Sequence, residues 1–350
     1  MASFYKLKID NITRETSNAI SISFSVPEEL KKTYQFTAGQ YVTLKLTLDG
    51  NEIRRAYSIC SSPSSGELRV AIKEVENGLF STFANRNLQV GDILEVGRPE
   101  GNFIFNPASN TSSNYAAFVA GSGITPVFSI LTSVLESEPN STFVLIYGNK
   151  SKEDTIFFNA LEALQHKFVG RIFVHYVFSQ SAVENSISGR INASVVQQVI
   201  KETHQNKEFK TFYLCGPEEM IQTVTSALKE KGVAEENIKF ELFTSTATEN
   251  KDAGSHSGQT KITVIVDGET THFEMNQKDT LLDASLKKGI DAPYSCQGGV
   301  CSSCLARITK GSAEMKKNSI LTDQEIAEGL TLTCQAHPTS AEIEVDFDDV

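Results

Sequence analysis

Through residues 1–110 apolar and polar positions alternate in short runs. AISISFSV (19–26), QYVTLKLTL (40–48), ELRVAIKEV (67–75) and DILEVG (92–97) are rich in Val, Ile, Thr and Phe and are broken by Gly, Pro, Asn and Asp. Such alternation predicts strands, and closely spaced strands predict a small antiparallel β-barrel. GLFSTFANR (78–86) predicts one short helix among them. The period changes near residue 115. YAAFVAG (115–121), TFVLIYGN (142–149), RIFVHYVFS (171–179) and TFYLCG (211–216) read as buried strands, interleaved with helical stretches at 126–137, 156–168 and 217–232. That alternation predicts an α/β doubly wound parallel sheet over residues 111–245. TATENKDAGSHSGQT (246–260) is almost devoid of apolar residues and predicts a linker. Beyond it, KITVIVDGETTHFEM (261–275) predicts a hairpin turning at Asp267-Gly268, and TLLDASLKKG (280–289) an amphipathic helix closed by Gly289. The chain is therefore expected to be multidomain, with an α+β unit over 261–350 as its third part.

A length of 350 residues is enough for three separate cores. The formal net charge of -11 argues against nucleic acid as the main partner, because phosphate binding needs clustered Lys and Arg. The acids are unevenly spread. Residues 261–350 hold eight Lys or Arg against fifteen Asp or Glu, and EIEVDFDDV (342–350) alone holds five acids. This reads either as a solvated surface or as a docking face for a basic partner. The opening MASFYKLKIDNITRE has no apolar h-region, and no run approaches the length of a membrane span, so a cytoplasmic protein without membrane contact is expected.

That compartment gives meaning to the cysteines, of which the chain has six. Cytosolic clusters of cysteine more often bind metal or do redox chemistry than form disulfides. Cys296, Cys301 and Cys304 fall within CQGGVCSSC, and twenty-nine residues separate Cys304 from Cys334. C-x4-C-x2-C with a distant fourth cysteine is the plant-type [2Fe–2S] spacing. A tight loop supplies three thiolates to two irons, and the fourth must come from elsewhere. Gly298 and Gly299 allow backbone N–H groups close to the sulfurs, and Ser302 and Ser303 offer further hydrogen bonds. The alternative is a structural zinc site, although such sites usually present two C-x2-C pairs. PYSCQGGVCSSCLARI and LTLTCQAHP, set behind a hairpin and helix, resemble plant-type ferredoxins across 261–350, which implies a ferredoxin-like β-grasp domain.

RRAYSICSSP (54–63) carries a second chemistry. A guanidinium suits pyrophosphate, an aromatic face suits a flat ring, and a hydroxyl can tune a hydride-accepting atom. Arg55-x-Tyr57-Ser58 resembles the flavin motif of the ferredoxin–NADP reductase family. The resemblance implies FAD, with Arg55 on its phosphates, Tyr57 on the isoalloxazine ring and Ser58 near the reacting edge. AIKEVENGLFSTF (71–83) is similar to that family's second flavin segment. It places Gly78, Leu79, Phe80 and Ser81 at a helix start that favours phosphate, with Lys73 adding charge. GRPEGNF (97–103) resembles the turn before the second domain. Phe243, in FELF (240–243), is where related reductases cover the other flavin face; simple core packing is the alternative.

VAGSGITPV (119–127) follows a strand and precedes a helix, and its glycines permit a tight turn near phosphate. Gly121, Ser122, Gly123, Thr125 and Pro126 fit the family's G-x-G-x-x-P pattern, with Thr125 near the nicotinamide. YLCGPEEM (213–220) is similar to its second signature, and implies Cys215 at the hydride-transfer pocket and Gly216 and Pro217 in the turn. After the second strand of this domain, Lys150 and Ser151 favour a 2′-phosphate and hence NADPH over NADH, while Glu153 and Asp154 lie close by.

Together the motifs imply an NAD(P)H-dependent oxidoreductase passing electrons from NADPH through FAD to [2Fe–2S] and on to an oxygenase component. Domain order and the IYGN and STFANR stretches resemble the reductase subunits of ring-1,2-phenylacetyl-CoA epoxidases, which implies a di-iron oxygenase of phenylacetate degradation as acceptor, met near the acidic ferredoxin domain. The alternatives are an NADH-using reductase of another aromatic-ring oxygenase, and a flavin reductase fused to a zinc-stapled interaction module.

Overall fold

A computed structural model describes residues 4–48, 50–108, 111–243 and 258–350. The first sheet holds six strands: β1 (Tyr5–Thr16), β2 (Ala19–Ser25), β3 (Tyr41–Leu48), β4 (Asn51–Ser58), β5 (Leu68–Lys73) and β6 (Ile93–Val96), in the order β4-β3-β6-β1-β2-β5. An antiparallel bridge between Ile59 and Val70 brings the end of β4 to β5 and so joins the two edges into a barrel. Leu7, Ile9, Ile20, Ile22, Val42, Leu44 and Val70 fill its interior. The expected strands are present, and β1 and β4 are additions to them. In β1 only Leu7, Ile9 and Thr16 of its twelve residues are buried, so its alternation is diluted by charge. In β4 the run is interrupted by Arg54 and Arg55. Helix α1 (Leu79–Asn87) lies where GLFSTFANR predicts it.

The second sheet contains β7 (Asn114–Ala120), β8 (Thr142–Asn149), β9 (Ile172–Phe178), β10 (Ile187–Ser188), β11 (Phe209–Cys215) and β12 (Ile238–Glu241). They run parallel in the order β10-β9-β8-β7-β11-β12. The intervening helices are α2 (Ile124–Ser137), α3 (Phe158–Lys167), α4 (Ala193–Val196), which continues as one π-helical stretch to Thr203, and α5 (Glu218–Lys229). The order reverses between β7 and β11, so the crevice at their carboxyl ends is the topological switch point, where such sheets bind ligands.

Helix α2 is buried on almost every face, from Ile124 to Leu135, because it is sandwiched between this sheet and the barrel. Its Ser129 hydroxyl donates to the Ser61 carbonyl at 2.6 Å, and Glu136 accepts from Ser62 at 2.8 Å and from Ser64. Phe103 stands edge-on to Tyr213 at 5.5 Å, and the Lys239 ammonium donates to the Ile104 carbonyl at 3.0 Å. Ala38, Cys60, Ala71, Phe103 and Phe105 belong to the same apolar cluster as α2 and β7. Barrel and parallel sheet thus form one compact unit sharing a core.

The third domain belongs to a second compact unit. Its sheet has β13 (Gln259–Val266), β14 (Glu269–Asn276), β15 (Leu305–Lys310), β17 (Leu330–Leu332) and β19 (Glu342–Asp346), in the order β14-β13-β19-β15-β17; β16 (Ala313–Met315) pairs with β18 (Ala336–Pro338). The hairpin turns at Asp267-Gly268, both with positive φ. Helix α6 (Leu281–Lys287) is capped by Thr280, whose hydroxyl accepts from the Asp283 N–H, and ends at the left-handed Gly289. Its Leu281, Leu282 and Ala284 pack into a core with Ile262, Val264, Ile343 and Val345. A short helix α7 (Asp323–Ala327) carries a capping box between Thr322 and Glu325. The expected linker lies outside the described residues as far as position 257. Among the described residues, no helix is long and apolar enough to cross a membrane.

Candidate functional site

The two turns expected to hold a dinucleotide meet at the switch point. After β7, Gly121–Gly123 forms a single 3₁₀ turn with Gly121 at φ 54°. A Cβ on Gly123 would stand 2.2 Å from the Cys215 carbonyl oxygen and 3.2 Å from its Sγ. Only glycine lets the first turn press against the end of β11. Gly216 is similarly confined, with Met220 Cε 2.7 Å and Ala120 Cβ 3.1 Å from its hypothetical Cβ. Pro217 caps α5. Pro126 is the third residue of α2, where the missing N–H has no intrahelical acceptor to lose. The Thr125 hydroxyl donates to the Ser122 carbonyl at 3.0 Å, so it closes the turn.

A cavity of about 410 Å³ opens beside these turns. Gly121, Asn149, Lys150, Ser179, Arg190 and Pro217 line it, together with Lys73 and Asp154. Lys73, expected at the flavin, lines this cavity, with its ammonium 3.6 Å from where a Gly121 Cβ would be. Burial pulls its pKa below the usual lysine range, and Asp154 opposes that. Lys150 is present as expected. Ser151 is not among the lining residues, and its hydroxyl donates to Asp154 at 2.9 Å.

On the barrel, Arg55 is exposed and donates to the Arg54 carbonyl at 2.7 Å. Tyr57 is half-buried, its ring 5.5 Å from that of Phe80. Gly78 caps α1, whose first N–H groups have no intrahelical acceptor. Ser81 is buried and spends its hydroxyl locally, accepting from Val75 N–H and donating to the Gly78 carbonyl. Leu79 is 66% exposed and Val75 52%, an apolar rim around a helix start that suits a flat aromatic nucleotide. Phe243 packs in part against the shared core.

The fold adds one residue that the sequence motifs do not contain. Ser58 is buried and its hydroxyl donates to Glu241 Oε2 at 3.4 Å, at the end of β12. Glu241 is half-buried, with its carboxyl beside the Ser58 hydroxyl and near Cys215, and burial holds its pKa up to about 8. Cys215 is fully buried, and burial together with Glu241 pushes its thiol well above the usual range. Ser58, Cys215 and Glu241 thus converge from three strands. The one signal in the sequence is a glutamate inside the otherwise apolar FELF.

All six cysteines are free, and four of them, Cys296, Cys301, Cys304 and Cys334, come together in the third domain. The Cys296 thiol adjoins those of Cys301 and Cys334, and the Cys304 thiol adjoins that of Cys334. The four thiols thus adjoin in the order Cys301, Cys296, Cys334, Cys304. Two thiol pairs joined in a chain fit two irons with two protein ligands each. The loop is shaped for this. Gln297 and Gly299 have positive φ, and a Cβ on Gly299 would lie 2.8 Å from the Lys317 carbonyl. The Gly298 N–H points at Cys296 Sγ at 3.4 Å. Thr333 donates twice to the Cys304 carbonyl, through N–H at 3.1 Å and hydroxyl at 2.8 Å, and ties the fourth ligand's strand to the loop. The Ser295 hydroxyl beside Cys296 is buried with no partner among the described residues, which suits a neighbouring inorganic sulfide acceptor. The five acids of the tail all have local partners: Glu342 pairs with Lys310, Glu344 accepts from Thr309, Asp346 from Asp348 N–H, Asp348 from the Asp267-Gly268 turn, and Asp349 pairs with Arg307.

Similarity to known proteins divides the chain in the same way. Residues 6–105 match the family described as oxidoreductase FAD-binding domain, 118–226 the oxidoreductase NAD-binding domain, and 264–339 the 2Fe-2S iron-sulfur cluster binding domain. The chain is 37% identical to a 1,2-phenylacetyl-CoA epoxidase subunit from Escherichia coli K12, covering 99% of each. It is 32% identical to the ferredoxin reductase component of 3-ketosteroid-9-alpha-monooxygenase from Rhodococcus rhodochrous, covering 97% of this chain and 96% of that one. Among solved structures, phthalate dioxygenase reductase shares the fold, with a TM-score of 0.62 at 22% identity over 99% of this chain and 98% of the other.

Proposed function

This chain belongs to the ferredoxin reductases that join FAD-binding, NAD-binding and 2Fe-2S domains, and from that premise we propose that it draws electrons from NADPH to serve the oxygenase component of a phenylacetyl-CoA epoxidase. It is an NAD(P)H-dependent electron-transfer oxidoreductase. The choice of acceptor is carried by the 37% identity to the epoxidase subunit over nearly its whole length. When bound, FAD supplies the exchange between a two-electron hydride donor and the one-electron [2Fe–2S] carrier.

The chain's own groups do the rest. The Gly121–Gly123 turn and Lys73 bind the dinucleotide's phosphates at the switch point. Arg55 and the N–H groups at the start of α1, from Gly78 to Ser81, bind those of FAD; Tyr57 packs on the flavin ring, and Phe243 covers its other face. Ser58 presents its hydroxyl to the reacting edge, and Cys215 fills the space beside it with an un-ionised thiol that keeps water out. Glu241 stays protonated at neutral pH, one hydroxyl away from that edge. Cys296, Cys301, Cys304 and Cys334 hold the cluster. The excess acid of residues 261–350 forms the docking face for the oxygenase.

The test pairs the loaded protein with purified oxygenases. NADPH-driven turnover is expected to be on the order of tenfold faster with phenylacetyl-CoA oxygenase than with a 3-ketosteroid oxygenase, and to weaken as salt rises. Equal rates with both would remove the acceptor assignment, and salt-independent coupling would remove the docking face.

Glu241 adds a pH signature. Its folded pKa is raised, so the group is neutral below about 8 and becomes a carboxylate above it. That ionisation also costs folding stability as pH climbs from the ordinary carboxylate range through about 8. The kcat/KM for NADPH is expected to fall above pH 8, with Glu241→Gln abolishing that inflection. The same inflection in the variant would rule Glu241 out.

A further inference from the structure

We infer that Gln335 is a positioning residue for the cluster: its side-chain amide locks the peptide plane between Gln297 and Gly298, so that the Gly298 N–H stays aimed at the Cys296 sulfur. This rests on the ligand reading above and gives a task to a residue outside the four cysteines. Gln335 Nε2 donates to the Gln297 carbonyl at 3.0 Å and to the Cys334 carbonyl at 3.1 Å. Both partners are carbonyls, so only the nitrogen end of the amide can face them, and its two N–H groups serve one each. One amide therefore bridges the loop that carries Cys296 to the backbone of the fourth ligand.

A trans peptide carries its C=O and the following N–H on opposite sides of one plane. Holding the Gln297 carbonyl thus fixes the direction of the Gly298 N–H, which points at Cys296 Sγ at 3.4 Å. The plane needs holding. Gln297 is exposed and has φ 52°, a left-handed conformation that residues other than glycine seldom adopt, and the glycine after it adds rotational freedom. Gln335 is itself anchored. Its N–H donates to the Leu332 carbonyl at 2.8 Å, and its carbonyl accepts from the Lys316 N–H at 3.0 Å. Its Cγ lies 3.1 Å from where a Gly299 Cβ would be, so the bare glycine lets its stem lie flat on the loop. Hydrogen bonds to a ligand sulfur favour the more negative, reduced state and raise the reduction potential. A donor on the far side of the same peptide also polarises it and strengthens its N–H toward sulfur. Gln335 thereby sets the potential through the peptide that it braces.

The test is a redox titration of the loaded full chain followed by the cluster's EPR signal, with bleaching of the cluster by a chelator measured in parallel. Gln335→Leu fills the same space without donors. It is expected to shift the one-electron equilibrium about tenfold toward the oxidised cluster, a potential lower by about 59 mV, and to bleach roughly tenfold faster. Gln335→Lys keeps donors within reach of both carbonyls, and its potential is expected at or above the wild-type value. A leucine variant whose equilibrium shifts by less than about twofold overturns the assignment, even if it bleaches faster, because it then only braces the fold. A lysine variant as low in potential as the leucine variant overturns it as well. If Gln335→Leu holds no cluster, Gln335→Lys decides: a filled site supports the donor, and an empty one overturns it. Wild-type protein that takes up no iron overturns the ligand reading itself.

Discussion

Replacing Cys301 by Ala is expected to empty the third domain of its cluster while leaving the first two domains at work. Iron content and the cluster's EPR signal vanish. NADPH-driven reduction of ferricyanide, a small oxidant that meets the flavin directly, stays within about twofold, whereas transfer to cytochrome c falls on the order of 100-fold. The reasoning is one of ligand number: four thiolates serve two irons, and three leave one iron incomplete. Cys301 is partly exposed on a loop held by Thr333 and Gly299, so its loss spares the fold. An intact EPR signal would sink the ligand assignment, and zinc in the wild-type protein would favour a stapled interaction module instead.

Gly123→Ala is expected to be the most damaging single methyl group in the nucleotide domain. The added carbon meets backbone, 2.2 Å from the Cys215 oxygen and 2.6 Å from its carbonyl carbon, and neither can swing aside. The turns after β7 and β11 must part, at a cost of about 3 kcal/mol, and NADP⁺ affinity falls more than about tenfold with them. Denaturant unfolding and NADP⁺ titration measure the two effects. Gly66→Ala is the control: Gly66 has φ 69° but open space around its hypothetical Cβ, so it costs only about 1 kcal/mol. If Gly123→Ala unfolds with the wild type, the contact between the two turns is wrong.

What can be read from the chain alone divides along a physical line. Elements with a clean period, such as β8, α2 and the Asp267-Gly268 hairpin, are local properties and are legible. So are the glycine turns and the cysteine spacing, because their chemistry is written within about ten residues. Strand β1 escapes because only two of its apolar side chains are buried, and β10 and β12 escape because they have two and four residues. Glu241 is hidden for another reason: its partner Ser58 lies 183 residues away, and only the sheet order brings them together. Ser151 illustrates the converse. It has the right chemistry at the right offset, but Asp154 claims its hydroxyl.

The seam along α2 has a consequence for how such chains can be recombined. Ser129 on Ser61, Glu136 on Ser62 and Ser64, and Phe103 on Tyr213 stitch barrel and parallel sheet through buried atoms. A gene fusion that separated them would expose half of a common core and strand Ser58 from Glu241. The smallest cassette that keeps this seam whole is therefore the pair, cut no finer than residues 5–243.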